Sequence, residues 1–170
     1  MKKETIQQFV ILGNLRLRQF DPQKVKSMIE SSEINVEVAK DIPLNDKSAT
    51  LVFREIYESI RQLGEAKWWI EGYEPQGPGS HTISLDILKE ISIKEKIKFN
   101  HLERFRNIRH DANYRGFRVT IFQAKEIIDF WDKCGKEIVA ILKEQLDKKE
   151  QKPIGENIKE TKELFEKREI

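Results

Sequence analysis

At 170 residues the chain has the length of one ordinary domain with a single buried core. Its 31 basic and 29 acidic side chains leave a net charge of +2, which excludes polyanion binding through bulk charge and requires any basic footprint to be local. The lone Cys134 excludes an internal disulfide and a cysteine-based zinc site, and the apolar run FVILG is too short for a secretory leader or a membrane span, so a cytoplasmic protein away from membranes is expected.

Residues 1–20 mix apolar and polar positions with neither helix nor strand period, which predicts an N-terminal arm packed on the body. Asp21 is placed to cap a helix that opens on Pro22, with Val25, Met28, Ile29, Val36 and Ala39 as its apolar face and Pro43 beyond its end. A long helix is expected from after Asn45 or Asp46 to about Ile70, carrying Leu51, Val52, Ile56, Ile60, Leu63 and Ala66 at helical spacing. The segment EPQGPGS reads as a loop, and a further helix opens at Ser80 or His81 and runs through ISLDILKEI. The segment NHLE predicts a capping box of Asn100 and Glu103 at the start of the next helix, which Gly116 closes. A second capping box, Thr120 with Gln123, opens a helix reaching about residue 148. No strand pair or hairpin is signalled. The expected fold is all-α: an up-and-down helical bundle of four to six helices over 21–148, followed by a charged tail or short helix over 149–170.

The helix opened by Asn100 carries RFRNIRHDANYRG, residues 104–116. At about 100° per residue, Leu102, Phe105, Ile108 and Ala112 share a sector of roughly 120° that faces the core. His110 points roughly 150° away, among Glu103, Arg106, Asn107 and Tyr114. Arg106 precedes His110 by one turn, close enough to touch it on a helix surface. A solvated helix face has this composition too, but Arg104, Arg106, Arg109, Arg115 and Arg118 are opposed along the chain only by Glu103 and Asp111. The local field is positive, and phosphate is the ligand that guanidinium forks suit best. A neutral imidazole among them can take a proton from a nucleophile near neutral pH.

A helical bundle whose penultimate long helix carries Arg, four to six residues, then His resembles the HEPN superfamily (higher eukaryotes and prokaryotes nucleotide-binding). RFRNIRH has five residues between Arg104 and His110, with Phe105 where a polar residue often follows the arginine. RNIRH supplies that polar neighbour as Asn107 but leaves only three residues between Arg106 and His110, so both arginines remain candidates. The resemblance spans roughly residues 22–147. It implies a metal-independent endoribonuclease without cofactor, acting as a homodimer whose motif helices face each other, in a toxin–antitoxin or RNA-defence setting. On that resemblance His110 activates a ribose 2′-hydroxyl, Arg104 or Arg106 stabilises charge on the scissile phosphate, Asn107 orients it, and Arg109, Arg115 and Arg118 bind RNA or nucleotide phosphates. Some members partner a nucleotidyltransferase antitoxin that modifies a Tyr two residues after the His. That position is Ala112 here, which leaves Tyr114 as the candidate modification site. The reading from another class is a noncatalytic bundle that binds a nucleotide or an acidic protein through its basic helix.

His81 and His101 lack a short ligand spacing to His110, so no metal site is expected. Trp68 and Trp69 are assigned to packing rather than base stacking, and Cys134 to the apolar side of its helix near Ile127, Trp131 and Ile138.

Overall fold

The computed structural model describes residues 1–151, and the segment expected as a charged tail lies outside them from residue 152 onward. Of the described residues 72% are helical, and the architecture is an all-α bundle with one small sheet. In chain order the elements are α1 (Lys3–Ile11), β1 (Leu15–Leu17), α2 (Pro22–Asp41), α3 (Ala49–Ile70), β2 (Tyr73–Pro75), α4 (Ser80–Leu88), a 3-10 turn (Lys96–Asn100), α5 (His101–Tyr114), α6 (Ile121–Phe130), a π turn (Trp131–Gly135) and α7 (Lys136–Glu150). Among the described residues no helix is long and apolar enough to cross a membrane.

Local chemistry accounts for the starts of α2 and α6 and the end of α5. Asp21 accepts a hydrogen bond from the Lys24 backbone N–H at 3.0 Å, with Pro22 where no intrahelical donor is needed. The capping box of α6 is complete: the Gln123 N–H donates to Thr120 Oγ1 at 3.2 Å, and the Thr120 N–H donates to Gln123 Oε1 at 2.9 Å. Gly116 takes φ +70° just past α5, a left-handed conformation in which a side chain is strained.

Other expectations are corrected. The arm over residues 1–20 is a helix and a strand, and a strand pair does exist: β1 pairs antiparallel with β2, Arg16 opposite Glu74. Three-residue strands are too short to show an alternating pattern in sequence. Leu15, Trp68, Ile83 and Ile87 form a small second core beneath them. The Asn100–Glu103 box is absent, because Asn100 ends a 3-10 turn in helical conformation (φ −62°, ψ −20°) and its side chain makes no cap. Helix α3 begins at Ala49 rather than after Asn45 or Asp46, since the Asn45 side chain accepts from the Lys47 N–H at 2.9 Å and holds a turn there. Leu51, assigned to the apolar face of α3, is exposed, and α4 stops at Leu88, short of the full ISLDILKEI.

Helix α3 is the axis of the bundle and touches α2, α4, α5, α6 and α7. Its Val52, Phe53, Ile56, Ile60 and Leu63 meet Val25, Ile29 and Val36 of α2 and Ile127, Ile138 and Leu142 of the last two helices. Helix α5 is seated by Phe105, whose ring stands edge-on to Phe53 at 5.9 Å and to Phe130 at 5.6 Å. Trp68 and Trp69 are both buried, and the Trp68 Nε1–H donates to the Ile83 carbonyl at 3.0 Å. Cys134 is buried as expected, and burial pushes its thiol up to about 11, so it stays protonated as a small apolar group.

Candidate functional site

With Leu102 and Phe105 buried and Ile108 and Ala112 half-buried against the core, the opposite face of α5 is turned outward. The His110 side chain is 55% exposed, its Nδ1 lies 3.6 Å from Asp111 Oδ1, and its ring centroid is 5.0 Å from that of Tyr114. Asn107, Tyr114 and Arg115 are exposed on the same helix or at its end, whereas Arg118 is exposed on the connection to α6, beside Ile108 and Ala112.

The arginines are shared out rather than pooled. Arg104 donates to Glu126 of α6. Arg106 Nη1 donates to Thr82 Oγ1 of α4 at 2.7 Å, and its Nη2 lies 3.6 Å from Glu103. Arg109 reaches Glu58 of α3, with Nη2 at 2.9 Å from Oε1, and Arg115 lies 3.3 Å from Asp111. The expected contact of Arg106 with His110 is therefore replaced by one toward α4. The positive field inferred from chain neighbours is also weaker, because Glu58 and Glu126 arrive from distant segments.

Between α3, α4 and α5 the fold assembles a polar network that periodicity alone did not reveal. Arg61 donates to Glu58 Oε2 at 2.7 Å and to Glu65 Oε2 at 2.8 Å, and Arg109 joins through Glu58. Burial pushes the Glu58 carboxyl up, but the Arg61 hydrogen bond and the Arg61 and Arg109 charges outweigh it and hold the group below its ordinary value. Burial and the Arg61 charge hold the His81 imidazole below its ordinary value. The signal in sequence was the spacing of Glu58, Arg61 and Glu65, which puts two carboxylates one turn to either side of a guanidinium on α3.

Tyr57 sits at the core edge of this network, 1% exposed, and its hydroxyl has no hydrogen-bond partner among the described residues. Burial, with help from the Glu58 charge, pushes the phenol up to about 12. Folding thus favours the protonated form: the stabilisation is complete below pH 10.0, the ordinary value, and is lost as pH rises from there to about 12. Tyr57→Phe is expected to keep or slightly raise the melting temperature at neutral pH, since it removes an unsatisfied hydroxyl, and to flatten its alkaline decline. Melting curves from about pH 9 to about pH 12 check this, and an equally steep decline in both proteins would exclude Tyr57 as its cause.

Among the described residues no three His, Cys, Asp or Glu side chains gather as metal ligands would. No protein-family model, curated protein or solved structure matches the chain.

Proposed function

We propose that the chain is a HEPN-type, metal-independent endoribonuclease acting as a homodimer, with α5 of two copies forming one cleft. The observation that carries this reading is the exposure of His110 on the outer face of α5, a helix that also exposes Asn107 and ends beside the exposed Arg115. An imidazole so placed is free to act as general base on a ribose 2′-hydroxyl, and guanidinium groups answer the charge that builds on the phosphate. Tyr114 at the end of that helix and Phe117 just beyond Gly116, 70% and 63% exposed, supply apolar surface for a second copy to cover. In this reading Arg104 or Arg106 faces the scissile phosphate, and Arg109, Arg115 and Arg118 hold flanking phosphates. Tyr114 is accessible to a nucleotidyltransferase antitoxin as a modification target.

The test is incubation of the purified protein with single-stranded RNA in EDTA, where cleavage is expected. Arg104→Ala and Arg106→Ala decide the arginine: the functional one is expected to cost about a hundredfold or more in rate, and the other much less. Equal, small effects of both would remove arginine from the proposed chemistry.

One observation favours the second reading, a noncatalytic bundle that binds a nucleotide or an acidic protein. Arg104, Arg106, Arg109 and Arg115 each lie within ion-pair distance of a carboxylate in the single chain. Absence of cleavage across a broad set of RNAs, with retained nucleotide binding, would select it.

A further inference from the structure

Thr50, Arg54 and Glu58 follow one another at helical spacing along one edge of α3. The motif helix and the connection after it touch that edge twice. The Val119 N–H donates to Thr50 Oγ1 at 3.0 Å, and Arg109 Nε donates to Glu58 Oε1 at 3.1 Å. Arg54 stands between these two contacts on its helix, so it borders the stretch of chain from Arg109 to Val119. His110 belongs to the same surface: the Tyr114 ring lies 5.0 Å from the imidazole and 6.0 Å from the Arg109 guanidinium.

Arg54 differs from the arginines of α5 in having no partner to release. Arg104, Arg106, Arg109 and Arg115 each lie within ion-pair distance of a carboxylate, with which a phosphate has to compete. The neighbours of Arg54 on its own edge are committed elsewhere. Thr50 Oγ1 accepts from Val119, and both oxygens of Glu58 are taken, Oε2 by Arg61 and Oε1 by Arg109. The Arg54 side chain is therefore exposed, with no ion pair or side-chain hydrogen bond among the described residues. Arg118, which directly precedes Val119, is exposed and unpaired in the same way. Two unpaired guanidiniums beside the bond from Val119 to Thr50 make a local positive field that the net charge of +2 conceals, and their forked donors match phosphate oxygens.

We infer that α3 supplies a phosphate-binding residue to the His110 surface. Arg54 binds a backbone phosphate of single-stranded RNA where the strand leaves α5 across its seam with α3, and Arg118 binds another. The inference rests on the ribonuclease reading for its role, since it fixes the direction in which the strand runs from the general base. It places part of the strand's hold on a helix outside the motif, at a guanidinium that no ion pair restrains.

The experiment follows binding of the intact protein to 2′-O-methylated oligonucleotides, which cannot be cut, by fluorescence anisotropy across a series of KCl concentrations. Each phosphate contact to a single strand contributes about 0.7 to the steepness with which log affinity falls against log salt. Arg54→Ala is expected to reduce the steepness by about that amount and to weaken all-U and all-A strands alike, by about fivefold at low salt. Arg118→Ala is expected to do the same, and the double variant to add the two losses. Arg16→Ala is the control. That arginine is also exposed and unpaired, but it sits on β1, whose Leu15 packs with Trp68, about 21 Å along α3 from Arg54. Its replacement is expected to leave the salt dependence unchanged. Failure of the wild type to bind, an unchanged salt dependence in Arg54→Ala, or an equal change in Arg16→Ala would each overturn the inference. Displacement of the strand by polyglutamate as readily as by unlabelled RNA would overturn it too and give the patch to an acidic protein. Cleavage of unmodified RNA is read in parallel. The expected salt dependence without cleavage supports Arg54 as a phosphate contact and defeats only the ribonuclease reading, whereas cleavage with a salt dependence indifferent to Arg54 defeats the inference and leaves that reading standing.

Discussion

Replacing His110 by alanine is expected to reduce cleavage of single-stranded RNA in EDTA by about 10²–10⁴-fold, the range that a positioned general base supplies. The loss belongs to chemistry rather than folding. The imidazole touches Asp111 and Tyr114 on its own helix, it is more than half exposed, and alanine is the best helix former available at that position. A substitution of this kind at an exposed site usually changes stability by no more than about 0.5 kcal/mol, so the variant's melting curve should overlay that of the wild type. Gel-resolved time courses of both proteins, with circular dichroism on the same samples, make the comparison. Cleavage that persists in His110→Ala would take the catalytic role from this residue. If the cleft is shared between two copies, the rate per chain should also fall on dilution below the dimer dissociation constant.

Gly64→Ala is expected to be the most damaging single-methyl change in the bundle. Gly64 of α3 meets the backbone of α4 so closely that a Cβ built there would lie 1.7 Å from the Ser84 carbonyl oxygen and 2.6 Å from its carbon. No rotamer relieves a clash with backbone, so α4 has to move away. Overpacking of this kind costs about 1–3 kcal/mol and sometimes more, against the roughly 1 kcal/mol that alanine gains over glycine inside a helix. With the backbone as the obstacle the cost should sit at the top of that range, leaving a net loss of about 2 kcal/mol, or a fall of about 4–8 °C in melting temperature for a chain of this size. Displacing α4 also strains the Trp68 Nε1–H bond to the Ile83 carbonyl, so the near-ultraviolet dichroism of tryptophan should change before the transition. A Gly64→Ala protein that melts like the wild type would show that the two helices do not approach in this way.

Features that depend on a few consecutive residues were legible in the sequence. The Asp21 cap, the Thr120–Gln123 box, the closure at Gly116 and the outward turn of His110 each follow from spacing within one helix. Features that depend on segments brought together by folding were not. Arg109 finds its carboxylate 51 residues away in Glu58 and Arg104 finds one 22 residues away in Glu126, distances at which no periodicity links the partners. The same holds for Gly64, which reads as an ordinary helix-weakening residue until α4 lies across it. Asn100 shows a local rule overridden locally: the preceding 3-10 turn already holds its backbone in helical conformation, so the side chain has no cap to make.

The π turn at Trp131–Gly135 has a consequence for evolution and engineering of this chain. A π turn amounts to one residue inserted into an α-helix, and it offsets the angular phase of α6 from that of α7 by about 100°. Deleting a single residue there would let α6 and α7 merge into one regular helix. With Ile138 and Leu142 anchored in the core, Glu126 would then swing about a quarter turn away from Arg104, and Phe130 away from Phe105. A one-codon deletion in the π turn would thus unseat α5 without altering any side chain of that helix.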